Sequence, residues 1–315
     1  MMKAQIADGV KLIAGTGNTK LAEEIAKHLG IKLVEMENTT FPDGERFIQI
    51  KEHIRGQDIF ILQPTCPPVD SNLMELLIMV DTARRASAER ITAVLPFFGY
   101  ARQDRKDRPR VPITAKLVAN ILVAAGVDRV LTMDLHAQQI QGFFDIPVDH
   151  LYASPVLVKA IKEKNISDLV VVSPDAGGIK MSQAYAQSLG VPLAIVAKNR
   201  INAEEVESIT LIGEVEGKNV LLVDDLTESA GTLVSAANLL KERGAKDIYV
   251  AVSHAVLNDK AREKLQNSPI IEIFTTNSVP QAFGPKVTTL SVAPLLAEAI
   301  SRIHQDESVT SLFRI

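Results

Sequence analysis

The segment Val220-Leu-Leu-Val-Asp-Asp-Leu-Thr-Glu-Ser-Ala-Gly-Thr232 carries the densest chemistry in the chain. A hydrophobic run ends in two adjacent acids, a loop of small residues follows, and a helical pattern opens over Leu233–Arg243. Main-chain amides of such a loop, together with the helix N-terminus, form an anion site, and Ser229 and Thr232 can add hydroxyl donors. Asp224 and Asp225 repel phosphate but accept hydrogen bonds from a sugar's vicinal hydroxyls. Phosphate donors beside diol acceptors describe a pentose phosphate. A strand-end Asp that merely caps a helix is the plainer reading; two acids side by side favour the ligand.

Other clusters are less specific on spacing alone. Tyr100–Arg110 holds Arg102, Arg105, Lys106, Arg108 and Arg110, and guanidinium groups bind phosphate oxygens bidentately. A solvated surface loop explains the same residues equally well. Asp175, followed by Gly177 and Gly178, comes after the apolar run Leu169–Ser173, so this loop can approach a pyrophosphate closely. Phe41-Pro-Asp-Gly44 reads as a turn, Lys198-Asn-Arg200 as a charged strand end, and a lone strand-end His136 is more often structural than a ligand.

These residues need a scaffold that delivers them to one edge. Short β-branched runs alternate with amphipathic stretches throughout. Strand candidates are Lys11–Ala14, Ile59–Gln63, Ile91–Leu95, Arg129–Met133, Leu169–Ser173, Leu193–Val196, Val220–Val223 and Ile248–Ser253. Their near-continuous apolar character suits strands buried on both faces of a parallel sheet. Helices are expected over Leu21–Leu29, Leu73–Ala86, Ala115–Ala125, Ala184–Leu189 and Leu233–Arg243, which makes the chain α/β with right-handed crossovers. Such sheets bind ligands at the carboxyl ends of their strands. The unit from Asp58 to Leu95 loosely repeats in Asn219–Val252, so two related halves are expected. Their boundary falls near Asp149–Ser154, where Pro147 and Pro155 bracket a turn-like stretch. This gives domains over 1–150 and 151–299, with 300–315 expected to pack back on the first.

Composition sets the outer bounds. The 315 residues carry 34 Lys and Arg against 38 Asp and Glu, a formal charge of −4, and their apolar and charged fractions of 46% and 23% are ordinary for a globular protein. Disorder, collagen and coiled coil are excluded for the chain as a whole. No apolar run approaches the roughly 18–20 residues that span a bilayer. The single Cys66 forms no internal disulfide, and no Cys/His cluster has zinc spacing. A soluble cytoplasmic protein with no membrane and no nucleic-acid partner is expected.

The chain resembles the ribose-phosphate pyrophosphokinase family, built on the type I phosphoribosyltransferase fold. The resemblance rests on the Val220–Thr232 segment and on Phe41-Pro-Asp-Gly-Glu45, Asn72-Leu-Met-Glu-Leu, Phe98–Lys106, Pro112–Asn120, Asp134-Leu-His136, Gln139–Asp145 and Ser173–Gly178, in order along nearly the whole chain. It implies two related phosphoribosyltransferase-like domains, each with a mostly parallel central sheet flanked by helices. The implied reaction transfers the diphosphoryl group of ATP to ribose 5-phosphate. By that resemblance Phe41, Asp43, Gly44, Glu45, Arg102 and Gln103 bind ATP. Asp224, Asp225, Glu228, Ser229, Ala230, Gly231 and Thr232, with Arg200, bind ribose 5-phosphate. Asp175, Gly177 and Gly178 line the pyrophosphate, His136 and Asp175 hold Mg²⁺, and Lys198 and Arg200 are catalytic at the start of a mobile loop. The resemblance also implies a homohexamer of dimers in which a neighbour completes the adenine pocket.

The chain departs from the common family pattern at several positions. Glu228 stands where Asp is usual, Ser229 where Thr is usual, and Asn199 replaces a frequently charged residue. His53 lies where Ser is common, near Arg55, Ser308 and Thr310, which resemble the family's regulatory site. Two rivals remain at this level: a phosphoribosyltransferase that consumes the diphosphate product, and a non-catalytic regulatory subunit. A nucleic-acid role for Tyr100–Arg110 is a third, and the acidic balance opposes it.

Overall fold

The computed structural model describes residues 9–199, 208–280 and 284–313. The chain divides into two compact units, one comprising Met1–Tyr152 with Ser278–Pro280 and Ser291–Arg314, the other Ala153–Asn277 with Gln281–Leu290 and Ile315.

The first unit begins with β1 (Val10–Ala14), α1 (Thr19–Leu29), β2 (Met36–Thr40), β3 (Arg46–Ile50), β4 (Asp58–Leu62) and α2 (Val69–Arg85). It continues with β5 (Arg90–Leu95), α3 (Thr114–Ala125), β6 (Arg129–Met133) and β7 (Val148–Leu151). Five strands form an all-parallel sheet in the order β1-β4-β5-β6-β7, while β2 and β3 form a separate antiparallel ribbon. All five residues of β4 are buried, and Ile59-Phe-Ile-Leu62 is accordingly apolar on both faces.

The second unit contains α4 (Ser154–Glu163), β8 (Leu169–Ser173), α5 (Ile179–Leu189), β9 (Leu193–Asn199), β10 (Ser208–Ile212), β11 (Asn219–Thr227) and α6 (Gly231–Glu242). Then come β12 (Ile248–Ala255), α7 (Asp259–Gln266), β13 (Ile270–Thr276) and β14 (Val287–Leu290). Its seven-stranded sheet runs β10-β9-β8-β11-β12-β13-β14, parallel except for β10 against β9. The final helix α8 (Ala293–His304) belongs to the first unit and packs on α1. Asp58 fastens it there: Arg90 Nε donates to Asp58 Oδ1 at 2.9 Å, His304 Nδ1 lies 2.9 Å from Asp58 Oδ2, and Arg90 Nη2 donates to the Ile303 carbonyl at 3.0 Å.

The two units share a plan. The order β1-β4-β5-β6-β7 matches β8-β11-β12-β13-β14, and a β-hairpin is inserted after the first strand in each, β2–β3 in one and β9–β10 in the other. The α/β reading from the sequence holds, with differences in detail. The acids Asp224 and Asp225 lie inside β11 rather than after it, because the strand continues to Thr227 alongside β12. The turn-like stretch near Asp149 contains the parallel strand β7. The β2–β3 ribbon gave no strand signal, since Met36-Glu-Asn-Thr-Thr is polar and leaves Thr39 and Thr40 exposed.

Each unit has its own apolar core, and that of the second is built around Val220, Leu222, Val250, Val252 and the apolar face of α6. Leu222 is fully buried in the central strand. Truncating it as Leu222→Ala is expected to cost about 2–5 kcal/mol. Urea unfolding followed by circular dichroism measures this; a loss below about 1 kcal/mol contradicts the packing described.

Candidate active site

In the second unit the strand lengths build the site. β11 pairs with β8 only from Asn219↔Leu169 to Leu222↔Val172, but with β12 as far as Thr227↔Ala255. Asp224 and Asp225 therefore sit on a strand extension with a paired neighbour on one side and the turn leaving β8 on the other. That turn is held from within. Ser173 Oγ donates to the Asp175 carbonyl at 2.7 Å, and the Gly178 amide donates to Asp175 Oδ1 at 3.0 Å. A Cβ on Gly178 would stand 3.1 Å from Ser173 Oγ, so glycine lets the turn close tightly on itself. Three carboxylates converge there. Burial, then the charge and hydrogen bond of Asp225, then the charge of Asp175, push the Asp224 carboxyl up to about 8.

Past the acids, Glu228 and Ser229 are exposed and Ala230 is buried in the left-handed region, at φ 57° and ψ 7°, immediately before α6. A non-glycine residue in that conformation costs about 1–2 kcal/mol. It turns the chain from strand extension into helix within three residues. Among the described residues no side chain caps α6; the Gly231 amide reaches Ser229 Oγ at 3.4 Å. The opening amides of α6 thus point into the loop formed by 228–232, beside the two acids.

In the first unit, Phe41–Glu45 is the turn of the β2–β3 ribbon. The Phe41 amide donates to the Glu45 carbonyl at 2.7 Å, Gly44 closes the turn at φ +97°, and the Glu45 amide donates to Asp43 Oδ1 at 3.1 Å. Phe41 is exposed and leans on Phe47 with ring centroids 5.9 Å apart. Arg102 and Gln103 lie in the loop between β5 and α3. The Gly99 amide donates to Thr65 Oγ1 at 2.7 Å, the Tyr100 hydroxyl donates to Asp70, and Thr114 Oγ1 donates to Gln103 Oε1 at 2.5 Å. Gln139 Nε2 donates to Asp104 Oδ2 at 2.9 Å, joining this loop to the short helix Gln138–Phe143 that follows His136. His136 is exposed at the end of β6, and the preceding turn is fixed by the Leu135 amide, which donates to His150 Nε2 at 2.9 Å. Arg105, Lys106, Arg108 and Arg110 are exposed.

The structure thus groups Asp175, Asp224 and Asp225 with the loop 228–232, and groups Arg102 and Gln103 with the segment after His136. Arg200 and the side chain of Lys198 lie outside the described residues; the Lys198 backbone belongs to β9, opposite Ile209 of β10. Among the described residues no cluster of three or more His, Cys, Asp or Glu side chains forms a metal cage.

The model for the N-terminal domain of ribose phosphate pyrophosphokinase matches residues 10–126, and that for the phosphoribosyl synthetase-associated domain matches residues 198–314. A ribose-phosphate pyrophosphokinase of Rhodopirellula baltica is 53% identical over 311 residues, covering 97% of this chain and 98% of the relative. One of Caldanaerobacter subterraneus is 51% identical, covering 98% and 99%. The chain belongs to the ribose-phosphate pyrophosphokinase family. The crystal structure of a phosphoribosylpyrophosphate synthetase from Mycobacterium smegmatis, 43% identical, superposes with a TM-score of 0.90 over 95% of this chain and 100% of that one. Pyrophosphokinases of this family are enzymes, and the shared two-unit α/β fold agrees with membership.

Side chains that support this family's site were harder to read from the sequence. Asn72 and Glu75 stood out only as part of a family motif, yet both are buried; Asn72 donates to the Cys66 carbonyl and Glu75 accepts from Asn38, 37 residues away. His150 gave no signal at all. The raised Asp224 supplies a test. The ordinary carboxyl value is 3.8, against about 8 in the folded chain, so between these values the unfolded chain releases a proton that the folded chain keeps. Stability from this group therefore falls as pH rises through that window and is level above it. Asp224→Asn is expected to gain melting temperature over the parent steadily from pH 5 to pH 8, with no further gain at pH 9. Calorimetry at those values measures it, and a gain that shrinks with rising pH contradicts the assignment.

Proposed function

We propose that the ribose C1 hydroxyl attacks the β-phosphorus of ATP in line, giving phosphoribosyl diphosphate and AMP, with the work divided between the two units as follows. The bond from the β-phosphorus to the α,β-bridging oxygen breaks, AMP leaves with the electron pair, and the hydroxyl proton passes to solvent. The observation that carries this reading is the strand extension of β11, which sets two acids beside the uncapped start of α6. Asp224 and Asp225 accept hydrogen bonds from the ribose hydroxyls. The amides and hydroxyls of Glu228, Ser229, Ala230, Gly231 and Thr232 receive the 5-phosphate. Gly177 and Gly178 give the diphosphate close access to the backbone after β8, at the carboxyl end of the sheet.

In the first unit, the Phe41 ring stacks on adenine while Asp43, Gly44 and Glu45 meet its edge, and Arg102 and Gln103 hold phosphate oxygens. Lys198 and Arg200 stabilise the charge that develops on the transferred group, the main demand of a phosphoryl transfer with no essential general base. His136 and Asp175 each offer a donor to Mg²⁺. A cation that keeps most of its waters and phosphate oxygens suits such a sparse set, and when bound it neutralises phosphate charge. A homohexamer of dimers and a cytoplasmic location accompany this reading. Among the described residues no helix is long and apolar enough to cross a membrane.

The test is the nucleotide product. With ribose 5-phosphate and Mg-ATP, AMP is expected in a one-to-one ratio with phosphoribosyl diphosphate; ADP would overturn the reading. Lys198→Ala is expected to lower kcat by about 10²–10⁴-fold with a smaller change in KM. Full activity of that variant would remove Lys198 from the mechanism.

A further inference from the structure

The turn Phe41–Glu45 sits on a two-stranded ribbon, and such a ribbon is marginally stable by itself. Ile48 anchors it in the apolar core, and one buried carboxylate bonds it to the rest of the unit. Glu75 of α2 has no exposed surface. Its Oε1 accepts from the Thr16 amide at 2.8 Å and from Asn38 Nδ2 at 2.7 Å. Its Oε2 accepts from Thr16 Oγ1 at 2.5 Å and from Gln63 Nε2 at 3.1 Å, and Arg46 Nη1 lies 3.3 Å away. Both oxygens are saturated by donors from four different segments.

Two of these donors lie on the ribbon. Asn38 faces Ile48 across β2 and β3, so Asn38 and Arg46 are diagonal neighbours on one face, and Arg46 Nη1 donates to Asn38 Oδ1 at 2.9 Å. Ile48, on that same face, is buried in the core. Phe47 faces the opposite way and is exposed, in contact with Phe41. One face of the ribbon thus grips Glu75 while the other presents the aromatic pair.

The remaining donors are Gln63, just past β4, and Thr16 of the loop after β1. There the Thr16 amide is taken by Glu75, and the Gly17 amide donates to Gln63 Oε1 at 2.9 Å. A Cβ on Gly15 would stand 2.2 Å from Gln63 Oε1, so the loop requires glycine to admit these side chains. This loop occupies the place in the first unit that Ser173–Gly178 holds in the second. In the second unit the Gly178 amide bonds Asp175 within its own turn; in the first, a carboxylate from another helix fills the loop and spans from it to the ribbon.

We infer that Glu75 is a positioning residue for the nucleotide: by bonding the loop after β1 to Asn38 and Arg46, it sets where the Phe41–Glu45 turn meets the base. The inference rests on the reading that this turn holds adenine. Glu75→Gln replaces an acceptor with an NH₂ group facing other donors, and Asn38→Ala cuts the link at the half-buried ribbon while leaving the Glu75 carboxylate in place.

Steady-state kinetics of full-length Phe41→Ala, Glu75→Gln and Asn38→Ala provide the test. All three are expected to raise KM for ATP about 5–50-fold, to leave KM for ribose 5-phosphate within about twofold, and to narrow the preference for ATP over GTP. Should Glu75→Gln fail to fold, Asn38→Ala alone decides. If Phe41→Ala raises KM for ATP but Asn38→Ala does not, the inference is overturned and the adenine reading stands. If Asn38→Ala lowers kcat and weakens both substrates alike, Glu75 is only structural. If Phe41→Ala leaves KM for ATP unchanged, the adenine reading falls, and the inference with it.

Discussion

A parallel sheet covered on both faces has one place left for polar chemistry: the edge where its strands end. Everything distinctive about this protein follows from how far each strand runs toward that edge. In the second unit β11 continues past the last residue it shares with β8, supported only by β12. Had the strand stopped with its neighbour, Asp224 and Asp225 would lie in a solvated loop and ionise freely. Held on the extension and half-buried close to Asp175, they form a crowded negative site that pushes the Asp224 carboxyl up to about 8. Acceptors gathered at that density suit a polyhydroxylated ligand, and the adjoining amides of α6 supply the complementary positive field.

The two units solve the same problem in opposite ways. Their strand orders correspond and each inserts a hairpin after its first strand. Where the second unit builds its turn on a local Asp175–Gly178 bond, the first draws Glu75 and Gln63 into its loop. A buried carboxylate is costly unless every lone pair is met, and Glu75 is met by donors from four segments. The same element that could receive an external anion has become an internal joint.

Much of this was legible in the residues. Strands β6 and β8 were read to the residue, because burial on both faces makes them mostly apolar. The loop from Glu228 to Thr232 and the turn at Phe41–Glu45 announced themselves through small residues and turn formers. Three features escaped for physical reasons. Strand β2 of the ribbon is almost wholly polar, because its inward Asn38 bonds Glu75 instead of adding to the apolar core. The extension of β11 depends on the length of β12, a neighbour whose influence no local pattern carries. Glu75 sits in a helix whose heptad-like apolar spacing gives no hint that one acid faces inward, since its partners are 59, 37 and 12 residues away.

The role proposed for the carboxylates on the β11 extension is to read the vicinal diol of the sugar phosphate. Its most direct test compares ribose 5-phosphate with 2-deoxyribose 5-phosphate as substrates for the parent and for Asp225→Asn. The parent is expected to prefer the ribose substrate by about 10²–10⁴-fold in kcat/KM, and the variant to lose at least about tenfold of that preference, because an amide at 225 is a weaker acceptor for the diol than a carboxylate. An equal preference in both proteins would contradict it.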